Sequence, residues 1–451
     1  MRLGSRSMEQ GREPGAVVHL DAKRGGVRGR PFLLIQGPVG PFFTKLARAL
    51  RERGHPVDRV RLNAADRLFD RSGHGAADPE PAYRALRFRE GLKAFEPWLR
   101  GLCWRNEYAG IVLFGGERPA HKVARTVAEG FGIPVIALEE GYVRSGFVTV
   151  ERDGNNARSP LAGQIPPPDF DEPDLEGIPA KGYRWMLWWA FLSFTWRNLR
   201  SRGIEREFDH KRRKTVSEGF YWFRSWVRYV TGYGASVEDV LTLPSFDLVA
   251  LQVPDDAQLG EAADGWDNGK VIAATIESFA RHAPRDRHLV FKVHPMERGH
   301  TRDLPLIQSL ARRWGVAERV RCVTTGSIGT LAHAARGMIT INSTSGFSAL
   351  HTQRPLLMLG RGVYRHPKLV ICGGDQDSID RFWTTDRAVE PDLAERFERW
   401  LKIGALVPGD YYDRAVVTGT AERVADRAIE LAENGPYRVA LPEAKLIQRR
   451  A

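Results

Sequence analysis

The chain has 451 residues, 42% of them hydrophobic and 27% charged, a composition that can bury a large core without disulfide or metal cross-links. Lys and Arg outnumber Asp and Glu by 67 to 55, and the net charge of +12 indicates an anionic partner: a phosphate-rich substrate, an acidic lipid surface or nucleic acid. Three scattered cysteines argue against a disulfide framework or a zinc site, and the lack of an apolar run of about 18 residues or a signal-like N-terminus predicts a protein that stays inside the cell.

The first half of the chain predicts strands that alternate with helices. Residues 1–29, rich in Gly and Arg, predict a disordered leader. Four apolar runs predict buried strands, at residues 32–35, 57–62, 111–114 and 133–138. This alternation indicates a doubly wound parallel sheet, in an N-terminal Rossmann-like domain over residues 30–180.

The same alternation returns after a proline-rich connector at residues 163–179 and a helical insertion over residues 181–240. A second Rossmann-like domain is predicted over residues 241–390, and helices over residues 391–451. Its apolar runs lie at residues 248–253, 289–293, 320–323, 338–341 and 356–359. We therefore expect an α/β protein with two Rossmann-like domains facing a cleft.

The insertion is crowded with aromatic and basic residues. The aromatics are Tyr183, Trp185, Trp188, Trp189, Phe191, Phe194 and Trp196, then Tyr221, Trp222, Phe223, Trp226 and Tyr229. The bases among them are Arg184, Arg197, Arg200 and Arg202, then the run from Lys211 to Lys214. Trp and Tyr favour the lipid headgroup level and bases favour anionic lipid, so the pattern predicts helices at a membrane surface. Core packing within the insertion and stacking on single-stranded nucleic acid are the alternatives.

Two motifs follow predicted strands of the second domain. Lys292-Val293-His294-Pro295 ends one strand, and Asn342-Ser343-Thr344-Ser345-Gly346 follows another about fifty residues later. The carboxyl ends of parallel strands meet at one edge, where ligands bind. Cationic side chains and the start of a helix would together hold a nucleotide phosphate. The alternative is a packed histidine and a serine-capped helix.

Glu139-Glu140-Gly141 is expected directly after an apolar strand of the first domain. Adjacent carboxylates cannot both point into the core, so at least one should project into the cleft. Glycosyl transfer needs a carboxylate as base or nucleophile. An ordinary acidic surface turn is the alternative.

Two further strand ends offer polar groups. Gln252 and Asp256 follow the first strand of the second domain, where a plain surface loop is the alternative. Gln36 and Gly37 open a Gly-rich turn that lacks the spacing of a dinucleotide or ATP loop, so we expect it to shape the acceptor side.

The motifs QGPVGPFF, LNAADRLF, LFGGERP, EEGYVR, LQVPDDAQ, KVHP, NSTSGFSAL and RPLLMLG occur in this order over about residues 31–385. The set resembles the capsule polysaccharide biosynthesis/export family, in particular its single-module branch that acts on the lipid terminus. The resemblance implies a GT-B fold and a retaining β-Kdo transferase with CMP-Kdo as donor. It also implies a phosphatidylglycerol-type lipid acceptor, whose product starts the Kdo linker of the capsule polysaccharide.

The resemblance also implies roles for individual residues. Lys292 and His294, with Pro295, would contact the CMP phosphate, and the stretch from Asn342 to Gly346 would complete the nucleotide site. Catalytic roles would fall to Glu139, Glu140, Asp256 and His294. Some relatives have Asp directly before the glutamine, where this chain has Leu251, so the covalent nucleophile is left unassigned. Acceptor and cleft positions would be Gln36, Gly37, Arg118, Arg144 and Gln252.

No cofactor and no metal are expected. The Asp-x-Asp pairs at Asp169/Asp171 and Asp375/Asp377 do not directly end predicted strands, and a basic cleft rich in helix termini can stabilise the departing phosphate without a metal. Predicted partners are CMP-Kdo, the lipid acceptor, the inner-membrane surface and other capsule synthesis or export proteins, without nucleic acid. We expect a cytoplasmic protein, peripheral on the inner face of the plasma membrane. A different CMP-sugar or polyol-phosphate transferase and a non-catalytic component of the export assembly are the rival functions.

Overall fold

The computed structural model describes residues 29–70, 82–143, 146–201, 203–208, 215–253, 260–294, 299–300, 302–386 and 389–434. Within helices it describes no side chains for residues 215–218. Several sequence predictions fall outside this part of the chain: the leader up to residue 28, Arg144, the basic run 211–214, Asp256 and Pro295.

Most strands of the described chain are short, and most of their residues are buried. In chain order they are β1 (Phe32–Ile35), β2 (Val57–Arg61), β3 (Tyr83–Arg87), β4 (Gly110–Phe114), β5 (Val135–Glu140), β6 (Phe147–Arg152), β7 (Phe246–Ala250), β8 (His288–Lys292), β9 (Val320–Val323), β10 (Gly337–Thr340), β11 (Leu356–Met358), β12 (Ile371–Cys372) and β13 (Leu406–Pro408).

The longer helices are amphipathic, apart from the first helix of the insertion. In chain order they are α1 (Phe42–Glu52), α2 (Ala64–Phe69), α3 (Leu92–Arg105), α4 (Pro119–Phe131), α5 (Gly182–Arg200), α6 (Thr215–Val230), α7 (Val237–Leu241), α8 (Asn268–His282), α9 (Asp303–Arg313), α10 (Ile328–Ala334), α11 (Phe347–His351), α12 (Gln376–Phe382), α13 (Pro391–Ala405) and α14 (Val417–Asn434). None of these described helices combines the length and hydropathy needed to cross a bilayer.

The first sheet has the strand order β13-β6-β5-β4-β1-β2-β3. The chain runs outward from β1 to β3, then crosses to β4 on the other side of β1, so the winding direction reverses between β1 and β4. Strands β1 and β4 are buried throughout, as parallel strands covered on both faces require. The sheet is not wholly parallel, since β6 and β13 run antiparallel at one edge. The predicted parallel sheet is thus right for its centre and wrong for this edge.

The second sheet has the order β12-β11-β10-β7-β8-β9, and all its pairs are parallel. Its winding matches that of the first sheet. Strands β7, β8 and β9 follow one another outward, and the chain then crosses to β10 on the other side of β7. Two Rossmann-type domains with matching switch points form the GT-B arrangement expected from the sequence. In such sheets a ligand lies outside the carboxyl ends of the strands, at the switch point.

The C-terminal segment returns to the first domain. Strand β13 pairs with β6, and α14 packs on α1 through one shared apolar cluster. The sequence predicted helices alone over residues 391–451. The strand was missed because three residues are too few to show an alternating pattern.

The insertion divides its aromatic residues between two environments. Trp185 and Trp189 of α5 pack against the core of the first domain, where Trp189 covers Gly40. Trp188 and Phe191, on the same helix, are exposed. Core packing therefore accounts for only some of the aromatic residues of the insertion.

Candidate functional site

Gln252 and Asn342 join the two strand ends at the switch point of the second domain. Gln252 follows β7 and donates to the side-chain oxygen of Asn342 over 2.9 Å, while the Asn342 backbone N–H donates to Gln252 Oε1 over 3.1 Å. Asn268, at the start of α8, exchanges two further hydrogen bonds with the Gln252 backbone. We predicted Gln252 as a cleft residue. The structure places its side chain inside, where it fixes the loop after β10.

The loop after β10 is a capped turn. The Ser343 hydroxyl accepts from the Ser345 backbone N–H at 3.2 Å and from the Ser345 hydroxyl at 2.8 Å. The turn continues into α11, which has only five residues, so the predicted helix is short and its dipole small. Ser343, Thr344 and Ser345 are half-buried. Their hydroxyl and N–H groups, rather than a long helix, are what this loop offers to an anion.

Gly346 is needed in this loop because a side chain there would collide with the hydroxyl of Tyr364. That hydroxyl donates to the Ser343 carbonyl over 2.5 Å. Tyr364 is fully buried, and burial raises its pKa. Tyr364 therefore stays a neutral donor and holds the turn from below.

Lys292 and His294 behave differently at the end of β8. Lys292 is the last residue of the strand and only 4% exposed, and its ammonium donates to the Val293 carbonyl over 3.0 Å. His294 is exposed. Of the two cationic candidates for a phosphate contact, the structure therefore presents His294 at the surface of the strand end and encloses Lys292.

Arg118 joins the strand ends at the switch point of the first domain. It precedes α4 and donates to the carbonyls of Gln36 and Gly37, over 3.2 and 3.4 Å. Gln36 has a positive φ of 45° and donates in turn to the carbonyl of Phe208, within the insertion, over 2.9 Å. Gly37 has no room for a side chain, because a Cβ would lie 2.5 Å from the ring of Phe43. The predicted acceptor residues Gln36, Gly37 and Arg118 are thus in contact with one another.

Glu139 and Glu140 are the last two residues of β5, not a turn after it. The strand is longer than predicted because β6 pairs with it, Glu139 opposite Thr149 and Glu140 opposite Val148. Both glutamates are half-buried, and adjacent strand residues point to opposite faces. A Cβ on Gly115, at the end of β4, would lie 3.5 Å from Glu139 Oε2, so Glu139 reaches toward the switch point.

Glu139 and Arg118 interact electrostatically. Burial lowers the pKa of the Arg118 guanidinium, and the carboxylates of Glu139 and Asp66 act in the opposite direction. Burial raises the pKa of Tyr412 well above its usual value, and both Glu139 and Glu140 raise it further. Asp66 and the neutral Tyr412 hydroxyl therefore lie near Arg118 and the glutamate pair.

Sequence reasoning missed Asp66 and Tyr412. Asp66 lies in the LNAADRLF motif, which carries the family resemblance, but no role was drawn from it. Tyr412 lies beyond the matched motifs, on the C-terminal return, so nothing local could have linked it to the glutamate pair.

A chain of contacts connects the two switch points. The hydroxyl of Tyr142, two residues after Glu140, accepts from the Asn156 backbone N–H. The Asn156 side-chain oxygen accepts from the Val363 N–H in the second domain over 3.1 Å. The next residue is Tyr364, which holds Ser343. The loop after the glutamate pair and the serine loop are therefore fixed relative to each other.

A cavity of about 150 Å³ lies between the domains beside these loops. Its lining residues are Glu117, Asn155, Ala157, Arg158, Glu261, Ala262 and Arg361. Arg158 bridges the cavity walls, with nitrogen–oxygen distances of 3.3 Å to Glu117 and 2.6 Å to Glu261.

Two observations bear on the metal question. Asp375 caps α12, with its side chain accepting from the Ser378 N–H over 2.9 Å. Within the described ranges, no group of three His, Cys, Asp or Glu side chains is arranged to hold a metal ion. Transfer without a metal stays a prediction.

Comparison with known proteins gives a family match over residues 109–165 and 224–412, to the family described as "Capsule polysaccharide biosynthesis protein". The capsule polysaccharide export protein KpsS of Escherichia coli is 31% identical over 401 residues, covering 85% of this chain and 97% of that protein. The capsule polysaccharide modification protein LipB of Neisseria meningitidis serogroup A is 27% identical over 400 residues, covering 85% and 91%. Among solved structures, the β-Kdo 2,7 transferase of Thermosulfurimonas dismutans KpsC aligns over 88% of this chain and 99% of its own, with 11% identity and a TM-score of 0.38.

Proposed function

The chain belongs to the capsule polysaccharide biosynthesis protein family, and on that premise we propose that it is a glycosyltransferase that moves Kdo from CMP-Kdo onto a phosphatidylglycerol-type lipid. The product would start the Kdo linker of a capsule polysaccharide. One observation carries the proposal: an acidic strand end in one domain and a serine and histidine edge in the other, held together through Asn156 and Val363.

The donor is assigned to the second domain. CMP-Kdo carries a phosphodiester and a carboxylate, both anionic, and Ser343 to Ser345 offer hydroxyl and backbone donors at the switch point. His294, after β8, is the exposed cationic candidate at the same edge of the sheet, with β7 between β8 and the β10 strand that precedes the serine loop. Donors fixed in advance stabilise charge that develops on a departing phosphate without reorganisation. Lys292 would support this edge from inside.

The acceptor is assigned to the first domain. Its hydroxyl would attack the anomeric carbon of Kdo, the bond from that carbon to the phosphate oxygen would break, and CMP would leave with the bonding electron pair. The hydroxyl proton would pass to Glu139 or Glu140. Arg118, between Glu139 and the Gln36 carbonyl, would bind the anionic headgroup of the acceptor. Retention of configuration would follow from front-side attack or from two successive displacements through a carboxylate.

A lipid acceptor and a positively charged chain support a location at the inner face of the plasma membrane, together with other capsule synthesis and export proteins. The +12 net charge favours this location, since that leaflet is anionic.

A donor screen tests the proposal against transferases that would use the same scaffold. The purified full chain is incubated with a fluorescent lysophosphatidylglycerol and, in separate reactions, CMP-Kdo, CMP-sialic acid or a CDP-polyol, and products are identified by mass spectrometry. We expect a product with CMP-Kdo alone. A product with another donor would replace the donor assignment, and CMP binding without any transfer would replace the acceptor assignment. Failure of every donor to bind would favour the non-catalytic alternative.

A further inference from the structure

The outward face of α6 is apolar, and its bases point inward. Among residues 219–230, whose side chains are described, the exposed residues other than Gly219 are Phe220, Trp222, Phe223, Trp226, Tyr229 and Val230, each between 42 and 61% exposed. Arg224 faces the protein, donating to the Gly299 carbonyl over 2.5 Å, and Arg228 lies 4.2 Å from the ring centre of Tyr233. This is the reverse of a helix that lies on a soluble core with its charges in water.

Helix α5 presents a second apolar face. Its inner residues Trp185 and Trp189 pack on the first domain, so α5 already has a buried side. Away from that side it exposes Tyr183, Trp188, Phe191 and Leu199, and Trp196 is exposed toward the end of the helix. The rings of Trp188 and Phe191 stack with centroids 6.0 Å apart. Helices α5 and α6 contact each other. Exposed aromatic side chains in this number on two adjoining helices mark an interaction surface rather than scattered apolar residues.

The net charge of the segment that contains α5 and α6 indicates what kind of partner this surface binds. Residues 181–230 contain 12 Lys and Arg, of which Arg224 and Arg228 face inward, and 4 Asp and Glu. Two of the four acids face the first domain: Glu205 pairs with Arg67 over 2.8 Å, and Glu207 accepts from the Leu92 N–H over 2.8 Å. The exposed charges on α5 are Arg184 and Arg200. A second copy of this chain would bring like charges together, whereas an anionic lipid surface matches both the bases and the Trp and Tyr side chains.

We propose that the outward faces of α5 and α6 bind an anionic lipid bilayer and insert their aromatic side chains at the headgroup level. Both helices are tied to strand-end loops of the cleft. The turn after α5 supplies the Phe208 carbonyl to Gln36, and α6 holds Gly299, five residues after His294. The cleft thus opens beside the bilayer. That a lipid acceptor enters from it rests on the proposed function, whereas the binding itself does not.

Vesicle flotation of the full chain tests the proposal, without donor or acceptor. Vesicles of phosphatidylcholine with phosphatidylglycerol are compared with pure phosphatidylcholine. The triple variant Trp222→Ser, Phe223→Ser, Trp226→Ser is compared with Trp104→Ser, which removes an aromatic that is 80% exposed on α3, outside the insertion. We expect the triple variant to lose about tenfold or more of its partitioning, the control to bind as the wild type, and wild-type binding to weaken without phosphatidylglycerol.

Unchanged flotation of the triple variant, or an equal loss in the Trp104 variant, would overturn the proposal. So would sedimentation showing a wild-type dimer that the triple substitution converts to monomer, since a second copy would then cover the surface. The same thermal unfolding midpoint in all variants shows that the exposed substitutions leave the fold intact. Transfer to a short-chain, monomeric lysophosphatidylglycerol should survive the triple substitution, so loss of membrane binding and failure of the transferase proposal give different results.

Discussion

The backbone N–H of Val363 donates a 3.1 Å hydrogen bond to the side-chain oxygen of Asn156, joining the second domain to the first. Asn156 has a positive φ of 51°, a conformation that Asn tolerates better than most residues. Its own N–H donates to Tyr142, and Val363 precedes the Tyr364 that holds the serine loop. The Asn156 side chain is thus one of the contacts that set the relative position of the two proposed half-sites, alongside the ion pair between Arg158 and Glu261.

Replacing Asn156 should therefore uncouple the half-sites without unfolding either domain. Asn156→Gly keeps the positive φ and removes the oxygen. We expect a loss of about 1–2 kcal/mol in the free energy of unfolding, since one buried hydrogen bond goes, and a fall of about tenfold in kcat/KM. Asn156→Asp retains an acceptor oxygen and serves as the matched control. Equal activity of the Gly variant and the wild type would show that the contact does not position the site.

Glu151 should make stability depend on pH. It is buried, it accepts from the hydroxyls of Tyr142 and Ser159, and burial raises its pKa from 4.5 to about 7. Between these values the folded chain keeps a proton that the unfolded chain has released, so stability falls as pH rises from about 4.5 to about 7 and then levels off. The contribution is about 3 kcal/mol at most.

Urea denaturation at pH 5 and pH 8 measures this effect. Glu151→Gln cannot ionise, so the difference in unfolding free energy between the two pH values should shrink in that variant. Glu107, exposed just after α3, offers a control, Glu107→Gln, that should keep the wild-type difference. An unchanged difference in Glu151→Gln would mean that another group is responsible.

Gln252 should support the donor loop from inside. Gln252→Ala removes two hydrogen bonds to Asn342 and leaves buried polar atoms unpaired. We expect a cost of about 1–3 kcal/mol in unfolding free energy and CMP affinity about tenfold weaker by calorimetry. Gln308→Ala, at an exposed position on α9, should change neither. If Gln252→Ala binds CMP as tightly as the wild type, Gln252 does not support the nucleotide site.

The glutamate pair should affect turnover rather than donor binding. Glu139→Gln and Glu140→Gln keep the shape of β5 and remove a proton acceptor. The residue that takes the acceptor proton should lose about 10²-fold or more in kcat, with CMP affinity unchanged. Glu129→Gln, at an exposed position on α4, is the control. If neither variant of the pair lowers kcat, the base lies elsewhere, with Asp256 the next candidate.

The sequence predicted the parts of the fold that local patterns determine. Runs such as Phe32–Ile35 are apolar throughout because both faces of a central parallel strand are covered, and that pattern is legible without tertiary information. The sequence analysis missed the antiparallel strand β6 and therefore placed the end of β5 too early. Pairing with β6 extends β5, and the residues of β5 alone do not show which strand will pair with them. The glutamate pair was found, but its place within the strand was not.

The candidate site could be predicted only in part, for the same reason. The serine loop and His294 follow apolar strands, so the switch-point rule located them. Whether a side chain at a strand end turns inward, as Lys292 and Gln252 do, depends on partners from other strands. Tyr412 reaches the glutamates only through the C-terminal return, a contact between residues far apart in the chain. The sequence of the aromatic insertion was compatible with a membrane surface, core packing or nucleic-acid stacking. The exposure of the aromatic side chains on α6 favours the membrane surface.

The most direct test of the central claim is a single reaction: full-length protein, CMP-Kdo and fluorescent lysophosphatidylglycerol, without added metal, analysed by mass spectrometry. His294→Ala is compared with His282→Ala, which alters the last residue of α8, away from the strand ends of the cleft. We predict one added Kdo with the wild type and the His282 variant, and a loss of about 10²-fold or more with the His294 variant. No product with the wild type, or full activity of the His294 variant, would contradict the account.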